Sequence, residues 1–308
     1  MLAKMPQQGS LEIAGGWDID ARVCAAAARD FPALRIAEDA ASLISSPDID
    51  IVYIGVPPAF HAEYANIAMA AGKTVFCEKP LGVDLATSSD LVDAIEASGM
   101  ANAVNLSLAA APGVDVMRKA LSDGRLGSLE GADIRLHFSQ WPRSWQANAG
   151  WLSGREQGGF VREVATHFIY LACTLLGSGK LVFADTRYPS GDDSAETHTL
   201  ARMDFSGVPL TLAGSVGGVG PDLVEFTLWG HKKSFRLTDF YKLWHSDGDA
   251  WQALHHDKEN PSEAAYMAQL DELVKMMDGK AHCLPDFRQA FVVQKLVEDI
   301  LDGKEMNT

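Results

Sequence analysis

Positive charge is scarce in this chain: 26 Lys and Arg stand against 41 Asp and Glu, a formal net charge of −15 over 308 residues. A chain this acidic repels a phosphate backbone or an anionic membrane unless its cations cluster, and no cluster is present. Charge therefore argues against nucleic acid and membrane as partners. Cysteine is scarce too. Cys24, Cys77, Cys173 and Cys283 are scattered and form no Cys-x-x-Cys pair. That pattern reads as reduced thiols in a cytoplasmic protein rather than a disulfide framework or a zinc site. No apolar run approaches the ~18 residues that span a bilayer, and the opening Met1-Leu2-Ala3-Lys4-Met5-Pro6 does not read as a signal peptide. Gly-x-Ser-x-Gly and His-Glu-x-x-His are both missing, which leaves hydrolase readings without support. His255-His256-Asp257 lacks the remaining ligands of a metal site.

The apolar residues that are present fall into two regimes. Over residues 11–106 short apolar runs alternate with helical patterns. Strands are expected at 11–17, 49–56, 74–77 and 101–106, and helices at 20–31, 59–71 and 84–98. This alternation implies parallel strands joined by crossover helices, a doubly wound α/β domain. After Gly124-Arg125-Leu126-Gly127 the character changes. Runs at 132–138, 181–187, 197–205, 209–216, 222–229 and 234–240 follow one another across short polar or glycine turns, which predicts a mostly antiparallel sheet. One helix at 161–176 interrupts the series, and helices at 262–277 and 286–301 close it. The expected architecture is a Rossmann-like α/β domain over residues 1–107 and an α+β domain with a large open sheet over 108–308. The last helix is expected to pack back on the first domain. In the run 222–229 both faces carry large apolar groups: Val224, Phe226 and Leu228 on one, Leu223 and Trp229 on the other. The second face is either a subunit contact, giving a homodimer or homotetramer, or is covered by the chain's own loops.

The most specific local signal is Val56-Pro57-Pro58-Ala59-Phe60-His61 followed by Cys77-Glu78-Lys79-Pro80. Both pieces sit just past the carboxyl ends of expected parallel strands, where open α/β sheets bind ligands. Prolines fix φ and remove donors, so Val56, Pro57 and Pro58 suit a rigid wall against a flat ring. Lys79 precedes a proline and is pushed out of helical geometry. Glu78 and Lys79 read equally as a solvated ion pair. Glu163 and His167, four apart on the helix at 161–176, share one face. They read either as a carboxylate orienting an imidazole for proton exchange or as a surface pair. Asp18 stands where an acid can hold the adenosine ribose hydroxyls, which weakly favours NAD over NADP; nearby Asp20 reads alternatively as a helix cap. Trp141, Arg143 and Trp151 fall in one loop region suited to a sugar or cyclitol ring, or to packing under that loop.

The order strand, Pro-Pro-x-x-His, helix, strand, Glu-Lys-Pro resembles the oxidoreductase family typified by glucose–fructose oxidoreductase and inositol dehydrogenase. The resemblance extends through Asp123-Gly124-Arg125-Leu126-Gly127, through Gly158-Gly159 before the helix bearing His167, and to Pro285-Asp286-Phe287. It implies that the first domain binds NAD or NADP through Asp18, Val56, Pro57, Pro58, His61, Glu78 and Lys79. It also implies that the second domain supplies the substrate pocket, with Lys79, Glu163 and His167 as the catalytic set. The family usually carries aspartate where this chain has Glu163. The implied reaction is hydride transfer to or from a sugar, polyol or related small molecule.

One departure stands out. A dinucleotide fold carries Gly-x-Gly-x-x-Gly roughly 20 residues before the ribose acid, and counting back from Asp18 runs off the chain at Met1. The glycine run at 214–220 leads into Pro221 and another strand, so it reads as a sheet turn. The first strand and its loop are thus expected to be missing, which should weaken dinucleotide binding. That leaves two rival readings: a silent homologue with a binding or assembly role, or an enzyme whose start was assigned too late.

Overall fold

A computed structural model describes residues 3–191, 193–254 and 260–303; His255-His256-Asp257 lies outside them. The first half is built on three parallel strands, β1 (Ile51–Ile54), β2 (Thr74–Cys77) and β3 (Asn102–Val104), in the order β1-β2-β3. Four helices accompany them: α2 (Ala21–Asp30), α3 (Ala40–Ile44), α4 (His61–Ala70) and α5 (Leu85–Ser98), with a single turn α1 (Met5–Gln8) at the start. Local chemistry sets the limits of α5. The Asp84 carboxylate accepts from Thr87 N at 2.7 Å, and Gly99 at φ 66° ends the helix in a left-handed cap. Val75, Phe76 and Cys77 are wholly buried, as a parallel strand covered on both faces requires.

The second half opens with α6 (Pro112–Ser122) and forms one eight-stranded sheet. Its strands are β4 (Leu129–Phe138), β5 (Gly179–Arg187), β6 (His198–Phe205), β7 (Val208–Val216), β8 (Leu223–Gly230), β9 (Ser234–Thr238), β10 (Lys242–Ser246) and β11 (Gln252–Leu254). The order is β11-β10-β9-β8-β4-β7-β6-β5, antiparallel throughout except for the parallel pair β4–β7. Helix α7 (Thr166–Leu176), preceded by a π-helical turn Val161–Ala165, packs on one face of the sheet, with Phe168 stacked on Phe226 of β8. Two helices close the fold. α8 (Pro261–Met277) returns to the first sheet and packs Leu270, Leu273 and Met276 against Phe76 and Ala103. α9 (Phe287–Asp302) lies between the domains, its Arg288 paired with Asp93 and Glu96 of α5 at 2.8 and 2.7 Å.

The structure departs from the sequence reading at several places. Residues 11–17 form no strand: a single parallel bridge joins Gly16 to Ile36. A strand exists only through its ladder, and Gly15 and Gly16 offer no side chains to brace one. Helix α6, with Val114, Met117 and Ala120 buried at helical spacing, was not expected. The run 234–240 ends as a strand at Thr238, and Asp239 and Phe240 turn the chain into β10. The helix expected from 161 begins one turn later as α-helix, after the π-turn.

Candidate functional site

The carboxyl ends of β2 and β3 are tied by a polar cluster. Glu78 accepts from Tyr53 Oη and, at 2.6 Å, from Asn105 Nδ2. Burial and the neighbouring Glu78 carboxylate push the Tyr53 phenol well above its usual range, so Tyr53 remains a donor. Asn105 Oδ1 is buried without a partner. Glu78 and Lys79 do not form the solvated pair that their adjacency allows. The Lys79 ammonium points across the crevice to the second domain, where it pairs with the Glu163 carboxylate and donates to Glu163 O at 3.0 Å.

Glu163 gathers a second set of donors on its other oxygen. Gln146 Nε2 donates to Oε1 at 3.0 Å, and Arg143 Nη2 approaches it at 3.9 Å. The Arg143 side chain is 14% exposed and Glu163's 16%. Burial lowers the guanidinium's pKa, and Glu163 and Asp222 oppose the shift. His167 follows on the same helical segment but donates no hydrogen bond to Glu163; its Nδ1 is buried and unpartnered. This corrects the expectation of a carboxylate orienting the imidazole. Two cations within reach attract Glu163 more strongly than a neutral ring does. Burial holds the His167 pKa well below the usual histidine range, and Lys79 and Arg143 lower it further. His167 is therefore neutral at pH 7.

His61 is fully buried, with Nδ1 2.9 Å from Pro80 O and Nε2 2.9 Å from Val56 O. Both ring nitrogens lie against backbone carbonyls, one of which accepts the single N–H of the neutral ring, so His61 holds the two loops together rather than facing a ligand. Of the proline wall, Pro58 is buried and opens a short 3₁₀ turn, while Val56 and Pro57 are half-buried at the crevice. Trp141 is committed to packing: its indole donates to Leu152 O at 2.9 Å and its ring leans on Phe138 and Phe160. Trp151 is half-buried, and Trp145, 72% exposed, lies under the Arg143 guanidinium at 4.6 Å. Asp18 is exposed and accepts from Asp20 N at 2.8 Å, while Asp20 is the N-cap of α2. Asn105 and Gln146 were not anticipated. Asn105, one residue past β3, had the signal that found Glu78, an amide just beyond a parallel strand.

Residues 2–106 match the model of an oxidoreductase family with an NAD-binding Rossmann fold, and residues 114–236 match the C-terminal domain model of the Gfo/Idh/MocA family. The chain belongs to the Gfo/Idh/MocA family. Relatives include a 1,5-anhydro-D-fructose reductase from Ensifer adhaerens, 30% identical over 58% of this chain and 48% of its own length. A levoglucosan dehydrogenase from Pseudarthrobacter phenanthrenivorans is 31% identical over 53% of this chain and 42% of its own length. The matched part thus spans about half the length of these relatives. A solved levoglucosan dehydrogenase complexed with NADH and levoglucosan superposes with a TM-score of 0.85 at 20% identity, over 97% of this chain and 91% of that one. The Gfo/Idh/MocA fold therefore covers nearly the whole chain.

The nicotinamide end of NAD fits this crevice. Lys79 and Asn105, whose Oδ1 is buried without a partner, stand where β2 and β3 end, with the half-buried Val56 and Pro57 beside them. For the pyrophosphate, no described residues supply a Gly-x-Gly-x-x-Gly loop opening a helix. Among the described residues no group of His, Cys, Asp and Glu is placed to hold a metal, and no helix is long and apolar enough to cross a membrane.

Proposed function

We propose that the chain catalyses hydride transfer between a nicotinamide and a carbinol or carbonyl carbon of a sugar, polyol or related ring. The observation that carries this reading is the meeting of Lys79, Glu163 and His167 in one part-buried crevice at the carboxyl edge of a parallel sheet. Bound NAD supplies the hydride chemistry. An ammonium has three protons; two of Lys79's go to Glu163, which leaves one for a substrate oxygen. Glu163 holds that ammonium aimed across the crevice. His167, neutral at pH 7, is in the form that accepts a hydroxyl proton. Arg143 and Trp145, stacked on one another, form the outer substrate wall, to which the half-buried Trp151 of the same loop region adds. The names of the relatives, a reductase of an anhydrosugar and a dehydrogenase of levoglucosan, support a cyclic polyol. Asp18, exposed after the Gly16 bridge, favours NAD over NADP by repelling a 2′-phosphate. Four free cysteines support a reducing, cytoplasmic setting. The open face of the large sheet supports a homo-oligomer.

The test is a turnover screen of anhydrosugars, cyclitols and linear polyols with NAD and NADP. Lys79→Ala and His167→Ala should each lower the rate by roughly 10²–10⁴-fold, the range of general acid–base groups, without loss of fold. Unchanged turnover in either variant removes that residue from the mechanism. NAD should outperform NADP, and Asp18→Ser should narrow the difference.

A further inference from the structure

The tight hairpin between β9 and β10 sets two non-glycine residues in the left-handed region. Asp239 and Phe240 stand consecutively at φ 49° and 67°, a left-handed conformation that a Cβ disfavours and that glycine adopts freely. Such backbone persists only where surrounding contacts over-determine it. Here those contacts lead into the crevice. The Phe240 ring meets His167 edge-on, with centroids 5.5 Å apart and planes at 88°, and stacks on Phe168 at 5.3 Å. The next residue, Tyr241, shares a 2.6 Å hydrogen bond with Ser107, ahead of α6, and its ring lies 6.4 Å from Tyr266 of α8. The turn is also pinned from behind, where Asp239 N donates to Val224 O at 3.0 Å.

We propose that Phe240 is a positioning residue for His167: held by the strained turn, its ring closes the imidazole against water and fixes the ring plane with Nδ1 shut inside. The proposal rests on the reading of His167 as the proton-transfer group, and it deepens that reading. An imidazole with an orphaned, buried nitrogen is otherwise an awkward thing to keep, because one water molecule beside it would satisfy that nitrogen and favour the charged form. The Phe240 ring, edge-on against the imidazole, blocks such a water. The charged groups around His167 are consistent with a ring kept neutral. Lys79, after β2, and Arg143, in the loop after β4, both oppose imidazolium. Glu163 is occupied by these two cations. The Tyr241 and Tyr266 phenols are held un-ionised by burial and add no charge.

The experiment is an NMR titration of the histidine imidazoles in the full chain, with His167 assigned by its loss in His167→Gln. It needs no cofactor and no turnover. Phe240→Gly removes the ring and relieves the backbone at the same position, which offsets part of the packing lost; circular dichroism verifies the fold, and Phe240→Ala takes its place in the titration if the glycine variant does not fold. In the unmutated chain His167 should stay neutral well below the usual histidine range. In Phe240→Gly its midpoint should rise by at least about one pH unit, a tenfold gain in proton affinity, and Phe240→Leu should restore most of the wild-type behaviour. Asp239→Gly, which relaxes the turn but keeps the ring, should leave His167 unmoved. An unchanged His167 midpoint in Phe240→Gly overturns the proposal. A shifted midpoint upholds it even if His167→Ala retains full turnover, an outcome that would instead sink the catalytic reading of His167.

Discussion

At Glu196 a carboxyl only 2% exposed accepts from Val161 N at 2.8 Å and so caps the π-turn that carries Glu163. Gly159 makes room for it: a Cβ there would lie 2.0 Å from Glu196 Oε2, and the residue stands at φ 94°. Burial pushes this carboxyl up to about 7 from 4.5, against the pull of the Val161 amide and Arg162. A raised carboxyl pKa stabilises the fold fully below the unfolded value. The unfolded chain then sheds its proton first as pH rises, and stability falls until the folded pKa is passed. Between pH 4.5 and 7 the loss is about 3 kcal/mol, at 1.36 kcal/mol per unit. Glu196→Gln should flatten that slope while keeping an acceptor for Val161. Urea unfolding of both chains at pH 5 and pH 8 reads the difference directly, and parallel curves would contradict it. The same contrast between burial and charge explains why the site was only partly legible from residue types. Lys79 and the pair Glu163/His167 stood out, because a charged residue before proline and an acid four residues before a histidine are local patterns. The partner that each would choose is not local. Glu163 turned to Lys79 and Arg143, brought from distant loops, and left His167 to Phe240.

Among elements, α9 shows how a buried charge can join two layers. Arg162 in the π-turn donates through Nε to Glu298 of α9 at 2.8 Å and through Nη1 to Arg155 O at 2.7 Å. The two side chains are 9% and 10% exposed. Breaking one side of such a pair strands the other charge, so Arg162→Met should cost about 3–5 kcal/mol, and Arg162→Met with Glu298→Leu should recover much of it. Denaturant unfolding of the single and double variants measures the coupling; equal losses in both would show that the pair is not the tie between these helices. The elements themselves were read best where periodicity and punctuation agree. Pro57-Pro58, Gly72 and Gly99 bracketed the β1–α4–β2–α5 run. Residues 11–17 failed because apolar character alone does not supply a ladder partner. Phe240 was read as strand because an aromatic in an alternating run fits a sheet, and nothing short of the tertiary contacts marks it as a turn residue.

At the scale of the whole molecule, the face of the eight-stranded sheet turned away from α7 differs from one end to the other. Toward β5 and β6, Arg135, His137, Asp185, Arg187, His198 and Leu200 surround a shallow cavity of about 540 Å³. Leu200 and Val182 are 49% and 38% exposed. At the other end Arg236 lies over Trp251, which leans on Trp229, so part of this face is covered by the chain's own side chains. At that end the chain covers its own face, as one of the two expectations had it; the exposed β5–β6 end carries the proposed contact with a second copy. In the proposed homo-oligomer, Leu200→Arg should shift the population toward monomer in light scattering after size exclusion, with turnover less affected than assembly. A monomeric unmutated chain at micromolar concentration would remove that assembly.

The α9 junction also bears on the order in which the molecule comes together. Val104 N, at the end of β3, donates to Pro285 O, and Asn102 accepts from Phe287 N. The strand that finishes the first sheet therefore waits for partners about 180 residues further along, contacts of high sequence separation that are slow to form. A ribosome delivers the first domain's own residues early, yet this domain gains its last layer only once α8 and α9 have emerged. Synthesis runs from one end to the other, while assembly has to close a circle.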